Sequence, residues 1–207
     1  PFALRFIPEE LKTKELCELA ISEYGWALEY APEELKTREL CEKAVKKVGH
    51  ALKFVPEKFR TKELCELAIK GINGSSSNLE YIPEEFKTPE LCKYAMENQE
   101  FYQRILHFIP EELRTKEMCE LAMQLNPRNS FCAVPDKLKT HEYCLEAVSG
   151  TIDNLQFVPE NLMTIDLCRV ALDNEFHLNK YCLKHVPDEF HKELCDEFGI
   201  ELPEKAR

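Results

Sequence analysis

Cys182, His185, His191 and Cys195 are the residues whose types and spacing best suit a metal ion, in a Cys-x2-His-x5-His-x3-Cys arrangement. Thiolate and imidazole ligands in such a set could hold zinc tetrahedrally. The two pairs fall in different segments, however, without the tight Cys-x2-Cys knuckle of a strong zinc motif. Cys195 also fills a slot where other cysteines recur along the chain, and His185 stands where other copies of the same phrase carry an aromatic ring. We expect no metal and no cofactor. Nucleophilic catalysis by cysteine is the second chemistry to weigh. Only Cys132 and Cys182 lie outside the recurring slot, and a reactive thiolate needs an electropositive, partly exposed setting that nothing nearby in sequence convincingly supplies. The chain contains no glycine-rich phosphate loop, no Gly-x-Ser-x-Gly and no His-Glu-x-x-His, the short motifs that carry those chemistries. The expectation is a chain with no catalytic residue and no catalysis of its own.

Charge offers a binding chemistry instead. Lys12, Lys36, Arg60, Lys87, Arg114 and Lys139 each follow a recurring proline by four residues, and Lys14, Arg38, Lys62 and Lys116 follow one by six. Stacked copies would align these cations beside helix N-termini, which favour anions. A phosphate-rich polyanion is therefore one reading. Glu9, Glu10, Glu15 and their equivalents interleave with the row, and the formal net charge is −11, so an ion-paired, solvated surface is preferred. The same charge opposes nucleic acid, because phosphate binding needs a net basic footprint.

The slots that the copies do not share point to a face. Six residues before the proline stand Phe2, Trp26, His50, Ser77, Arg104, Asn129, Asp153 and Tyr181. Three before it stand Arg5, Glu29, Lys53, Glu80, His107, Cys132, Gln156 and Lys184. On a helix these two slots are i and i+3, so they form one stripe. The candidate binding residues are Phe2, Trp26, His50, Arg104, Tyr181, Arg5, Lys53 and His107, whose types are enriched at interface hot spots. A solvated surface free to drift in sequence explains the variability equally well.

What would position that stripe is a phrase repeated eight times. Its prolines are Pro8, Pro32, Pro56, Pro83, Pro110, Pro135, Pro159 and Pro187, and its cysteines Cys17, Cys41, Cys65, Cys92, Cys119, Cys144, Cys168 and Cys195. The first two proline-to-proline steps are 24 residues, and later ones run to 28. A fixed period of this length marks a stacked repeat array. Thr13 and its equivalents read as N-caps, followed by an acidic residue that suits the positive end of the helix dipole. Leu16, Cys17, Ala20 and Ile21 share one face at helical spacing. Gly25, Gly49, Gly71, Asn98, Asn126, Gly150 and Asn174 are expected to stop this first helix in the left-handed conformation. A second, short helix, partly 3₁₀, then runs to a kink at the proline. The fold class is all-α, an α-solenoid of about eight two-helix repeats of 24–27 residues. Residues 1–207 form a single helical-repeat domain, with a C-terminal cap over about 188–207, as a fragment of a longer chain. Two insertions, at Gly71–Asn78 and Glu97–Tyr102, read as tolerated surface loops.

No apolar run approaches the roughly 20 residues that span a bilayer. Repeat cysteines one helix apart, about 8–10 Å, are too distant for disulfides, which need Cα atoms within about 7 Å. They read as small buried hydrophobes in a reducing compartment, hence a cytoplasmic location.

The phrase Leu52-Lys-Phe-Val-Pro-Glu-Lys-Phe-Arg-Thr-Lys-Glu-Leu-Cys-Glu-Leu-Ala-Ile69 resembles a bacterial tandem repeat family classed as a domain of unknown function. In period and short helices the chain is also similar to leucine-rich variant repeats. The first resemblance implies a helical array and no activity, and it includes proteins that intracellular pathogens deliver into host cells, so the host cytosol is the location if this chain is such an effector. The function expected is a non-catalytic protein-interaction or scaffolding module that binds a protein or peptide along its surface. The alternatives are a substrate-recognition appendage of a larger enzyme or secreted effector, and the polyanion reading.

Overall fold

The computed structural model describes residues 3–98, 104–174 and 180–201. Every regular element among them is helical, with no strand. The chain divides into two compact units, Pro1–Leu113 and Arg114–Arg207, and each is described by itself.

Unit 1 contains α1 (Lys14–Glu23), α2 (Arg38–Lys47), α3 (Lys62–Lys70) and α4 (Pro89–Glu97). Each begins as the sequence requires: the hydroxyls of Thr13, Thr37, Thr61 and Thr88 accept from the backbone N–H three residues on, at 3.3–3.4 Å. Such a cap satisfies one of the orphan donors of the first turn. The carboxyls of Glu15, Glu39, Glu63 and Glu90 are held below their usual pKa, first by their own backbone N–H and next by the capping threonine.

Between α-helices the chain runs as two 3₁₀ segments rather than one second helix. A longer one precedes the proline (Gly25–Tyr30, Gly49–Phe54, Ser76–Tyr81) and a three-residue one follows it (Glu33–Leu35, Glu57–Phe59, Glu84–Phe86). The break lies at the residue before proline, such as Ala31 at ψ 136°, because the proline ring bars α geometry there. Each longer segment packs against the α-helix before it and the one after it. The core is what remains facing inward: Leu40, Cys41, Ala44, Val45, Ala51, Leu52 and Val55 are all buried, and the equivalent slots repeat the pattern.

The expected left-handed helix ends do not form. Tyr24 and Val48 close α1 and α2 in extended conformation, and Asn98, Asn126 and Asn174 also keep negative φ. Gly25 and Gly49 are needed for close approach instead. A Cβ on Gly25 would sit 2.6 Å from the Ala44 carbonyl oxygen, and one on Gly49 would sit 2.5 Å from that of Ala68. The left-handed glycine is Gly199, at φ 67°, which closes the last helix.

The insertion after α3 is a surface loop that also packs backward. The Asn73 carbonyl accepts from the Gly49 N–H at 2.8 Å, while Ile72 at the tip is fully exposed. The other insertion lies largely outside the described residues.

Unit 2 contains α5 (Lys116–Leu125), α6 (Pro127–Ser130), α7 (His141–Gly150), α8 (Ile165–Asp173) and α9 (Asp188–Phe198). Threonine caps recur at Thr115, Thr140 and Thr164. Consecutive α-helices pack on one another through the unit. In the last copy one residue and the threonine are missing, so no extended N-cap separates the post-proline turn from the α-helix. The two fuse into α9, which starts directly after Pro187. Of the expected C-terminal cap, residues 202–207 lie outside the described ones.

Candidate functional site

The outward stripe of unit 1 is an aromatic ridge. Trp26 and His50 occupy the same slot in successive copies, and stacking brings their ring centroids to 4.9 Å at a 39° tilt. Trp26 also meets Phe54 at 6.2 Å, and His50 meets Tyr81 edge-on at 5.3 Å and 88°. Lys53 holds its ammonium 5.9 Å from the Phe54 centroid and 5.8 Å from that of Tyr81, within cation–π range. Trp26 remains 41% exposed.

A buried amide fixes one ring. Asn78, fully buried, donates its Nδ2 hydrogen to the Ala68 carbonyl at 2.9 Å, and its Oδ1 lies 3.0 Å from His50 Nδ1. Because Oδ1 can only accept, Nδ1 of His50 carries the hydrogen, an assignment that follows from the network. The Tyr81 phenol is raised above its usual pKa, first by burial and then by Glu80. Beside Tyr81 opens a cleft of about 480 Å³, whose lining includes Glu57, Glu80, Glu84 and Glu85 against two cations, Arg60 and Lys87.

Of the residues expected on the stripe, Trp26, His50 and Lys53 come together here. Arg104 and His107 pair with each other at 3.1 Å, Nη2 to Nε2. Arg5 is exposed, and its charge opposes the Glu29 hydrogen bond that chiefly raises the Tyr30 phenol. Tyr181 belongs to unit 2 and is 77% exposed. Phe2 lies outside the described residues. Sequence reasoning missed three members of the ridge. Phe54 and Tyr81 fill a slot that is aromatic in most copies and so read as packing. Asn78 was hidden because the same slot holds alanine at Ala27 and Ala51; a polar residue in an alanine slot was the available signal, and Asn154 in unit 2 repeats it by donating to the Ala147 carbonyl at 2.9 Å.

The basic row turns inward. Arg60 donates through Nη1 to the Tyr81 carbonyl at 3.0 Å and through Nε to that of Val55 at 2.9 Å. Arg114 reaches the Ala133 carbonyl and Lys139 that of Phe157, both at 2.8 Å. In all three the acceptor lies two residues before the next proline, so the cation ties one copy to its successor. The side chains of Lys12 and Lys36 are 8% exposed and pair with Glu9 and Glu33 of their own copies. Burial lowers the pKa of Lys87. Arg60, Arg114 and Lys139 are therefore internal donors to carbonyls at 3₁₀ ends, which lack partners of their own. In the second row, Lys14, Arg38 and Lys116 pair with Glu18, Glu42 and Glu120 one turn on.

Thiol chemistry is muted. The eight repeat cysteines are buried, and burial pushes Cys41, Cys65, Cys92, Cys119 and Cys168 up to about 11. A thiol held protonated is a poor nucleophile and metal ligand. His191 donates from Nε2 to the Val186 carbonyl at 2.8 Å and faces Asp188 through Nδ1 at 3.7 Å. That is the place Arg60 takes in its copy, so the last copy uses imidazole where others use a cation. Among the described residues no group of three or more His, Cys, Asp or Glu side chains could hold a metal ion, and no helix is long and apolar enough to cross a membrane.

Comparison with known proteins agrees with a repeat of unknown role. The family model described as "Domain of unknown function (DUF4116)" matches twice, at residues 1–36 and 37–87, so the first 87 residues are similar to that family. A search of curated proteins found no match, and a search of solved structures found none either.

Proposed function

We propose that the chain is a non-catalytic protein-interaction module whose unit 1 binds a protein or peptide segment across the ridge of Trp26, His50, Phe54 and Tyr81. The observation that supports this is the ridge itself: four rings joined by three contacts on an outward face, two of them, Trp26 and His50, in a slot that packing leaves free. Large rigid rings bury much apolar area at small entropic cost, which is why they anchor interfaces. The acidic cleft beside Tyr81 suits a partner that follows an apolar or aromatic anchor with a lysine or arginine. A reducing, cytoplasmic setting, in a bacterium or in a host cell if the chain is delivered there, fits the unreactive repeat thiols. Service as a recognition appendage of a larger enzyme or effector would use the same ridge.

The test compares wild type with Trp26→Ala/Tyr81→Ala as bait in cell lysate, read by mass spectrometry, with circular dichroism as the folding control. A partner retained by wild type and lost by an equally helical variant supports the ridge. Identical capture by both removes it.

A further inference from the structure

The row of cations four residues after the repeat proline has one member without a tie. Lys12 and Lys36 pair with Glu9 and Glu33 of their own copies. Arg60 and Arg114 donate to carbonyls of the next copy, and Lys139 does both, pairing with Asp136 and donating to the Phe157 carbonyl. Among the described residues Lys87 makes neither contact. Glu84, the equivalent of Glu33, does not close on its ammonium as an ion pair, and the equivalent carbonyl, that of Phe108, receives no hydrogen from it. Lys87 instead lines the cleft of about 480 Å³ beside Tyr81, part-buried, and shares its wall with Ile82, Pro83 and Phe86. An ammonium drawn partly out of water without a partner favours its neutral form. Burial accordingly lowers the Lys87 pKa, and Glu84 opposes the shift without reversing it.

We propose that Lys87 is a modification site, at which its amine takes an acyl group from an uncharged acyl thioester that enters the cleft. The nitrogen lone pair attacks the acyl carbon, so that an N–C bond forms and the C–S bond breaks. The sulfur leaves with the electron pair of that bond and ends as a thiol, carrying the proton that the nitrogen gives up. The products are an amide at Nζ and a free thiol, and no oxidant or reductant is needed. A lysine becomes a nucleophile when its amine is desolvated, and in this row the other cations are engaged with carboxylates or carbonyls. The apolar wall suits a short acyl chain. Four carboxylates, those of Glu57, Glu80, Glu84 and Glu85, outnumber Arg60 and Lys87 around the cleft, and a field of that sign repels anionic donors such as acyl phosphates. The reaction depends on the cleft and its amine, not on partner binding by the ridge.

The test treats the whole native protein with N,S-diacetylcysteamine, a neutral acetyl thioester, and follows each lysine over time by peptide mass spectrometry. Lys87 should acetylate several-fold faster than Lys62, an exposed lysine of the same unit, and its rate should level off at a lower pH. The lead should vanish in urea, where both amines are solvated alike, and shrink with acetyl phosphate, which is an anion. A native rate at or below that of Lys62, or a lead that persists undiminished in urea or with acetyl phosphate, overturns the proposal. No residue is replaced, so the outcome does not depend on whether a variant folds.

Discussion

Units 1 and 2 are written in the same phrase but fill its outward slot differently. Six residues before the proline, unit 1 places Trp26 and His50, whose rings touch, whereas unit 2 places Asn129 and Asp153, both exposed. Five residues before it the two agree: Ala27, Ala51 and Asn78 in unit 1 and Ser130 and Asn154 in unit 2 are all buried. Two before it, Phe54 and Tyr81 are answered by Ala133 and Phe157. Stacking restricts the inward slots in both units and leaves the outward ones free. The rings of Trp26 and His50 are therefore surplus to the fold of unit 1, which is the physical ground for assigning them to recognition.

The broadest way to break this comparison is alkali. A thiol whose pKa rises on folding favours the folded state below its ordinary value of 9.0 and withdraws that support as the pH climbs to about 11. The sign follows from linkage, since the unfolded chain loses these protons first. Cys41, Cys65 and Cys92 lie in unit 1 and Cys119 and Cys168 in unit 2, so both should lose helix between pH 9 and 11. Far-UV dichroism reports both units, and emission from Trp26, the chain's single tryptophan, reports unit 1 alone. Coincident curves support equal frames, and an unchanged signal through pH 11 refutes the burial argument.

Smaller in reach are matched cavities. Leu52 and Leu155 fill the same slot, 0% and 1% exposed, so Leu52→Ala and Leu155→Ala should each cost about 2–5 kcal/mol in urea unfolding. Costs in one unit only would show that the frames differ. Smallest are the cation ties. Arg60→Met and Lys139→Met each deprive a carbonyl of its donor, which costs about 1–3 kcal/mol for a buried polar group. No loss in either variant would reduce the row to surface charge.

The sequence made the period, the threonine caps and the buried Leu, Cys and Ala slots legible, because each repeats and each has a local cause. It misplaced the glycines, since Gly25 and Gly49 answer to a carbonyl of the next copy rather than to their own φ. It misread Arg60 for a related reason: whether a long cation pairs with a carboxylate of its own copy, as Lys36 does with Glu33, or reaches a neighbour's carbonyl, as Arg60 does, depends on the distance between copies, which no single copy encodes. The stripe was readable as a set of variable slots. That Trp26 would touch His50 while Tyr181 stands in another unit required the stacking itself.

The row of cations is interrupted once. The slot filled by Lys139 holds Met163 in the next copy, and the joint between α8 and α9 is bridged instead from the outside, where Arg169 binds Glu193 at 3.0 Å and Glu197 at 2.8 Å. The joints tied by Arg60, Arg114 and Lys139 depend on shielded contacts to carbonyls, but this one depends on charges that water and dissolved ions reach, and such pairs weaken as the Debye length shrinks. Ionic strength therefore acts unevenly along the chain: it leaves the middle of each unit nearly untouched and loosens the last helix first.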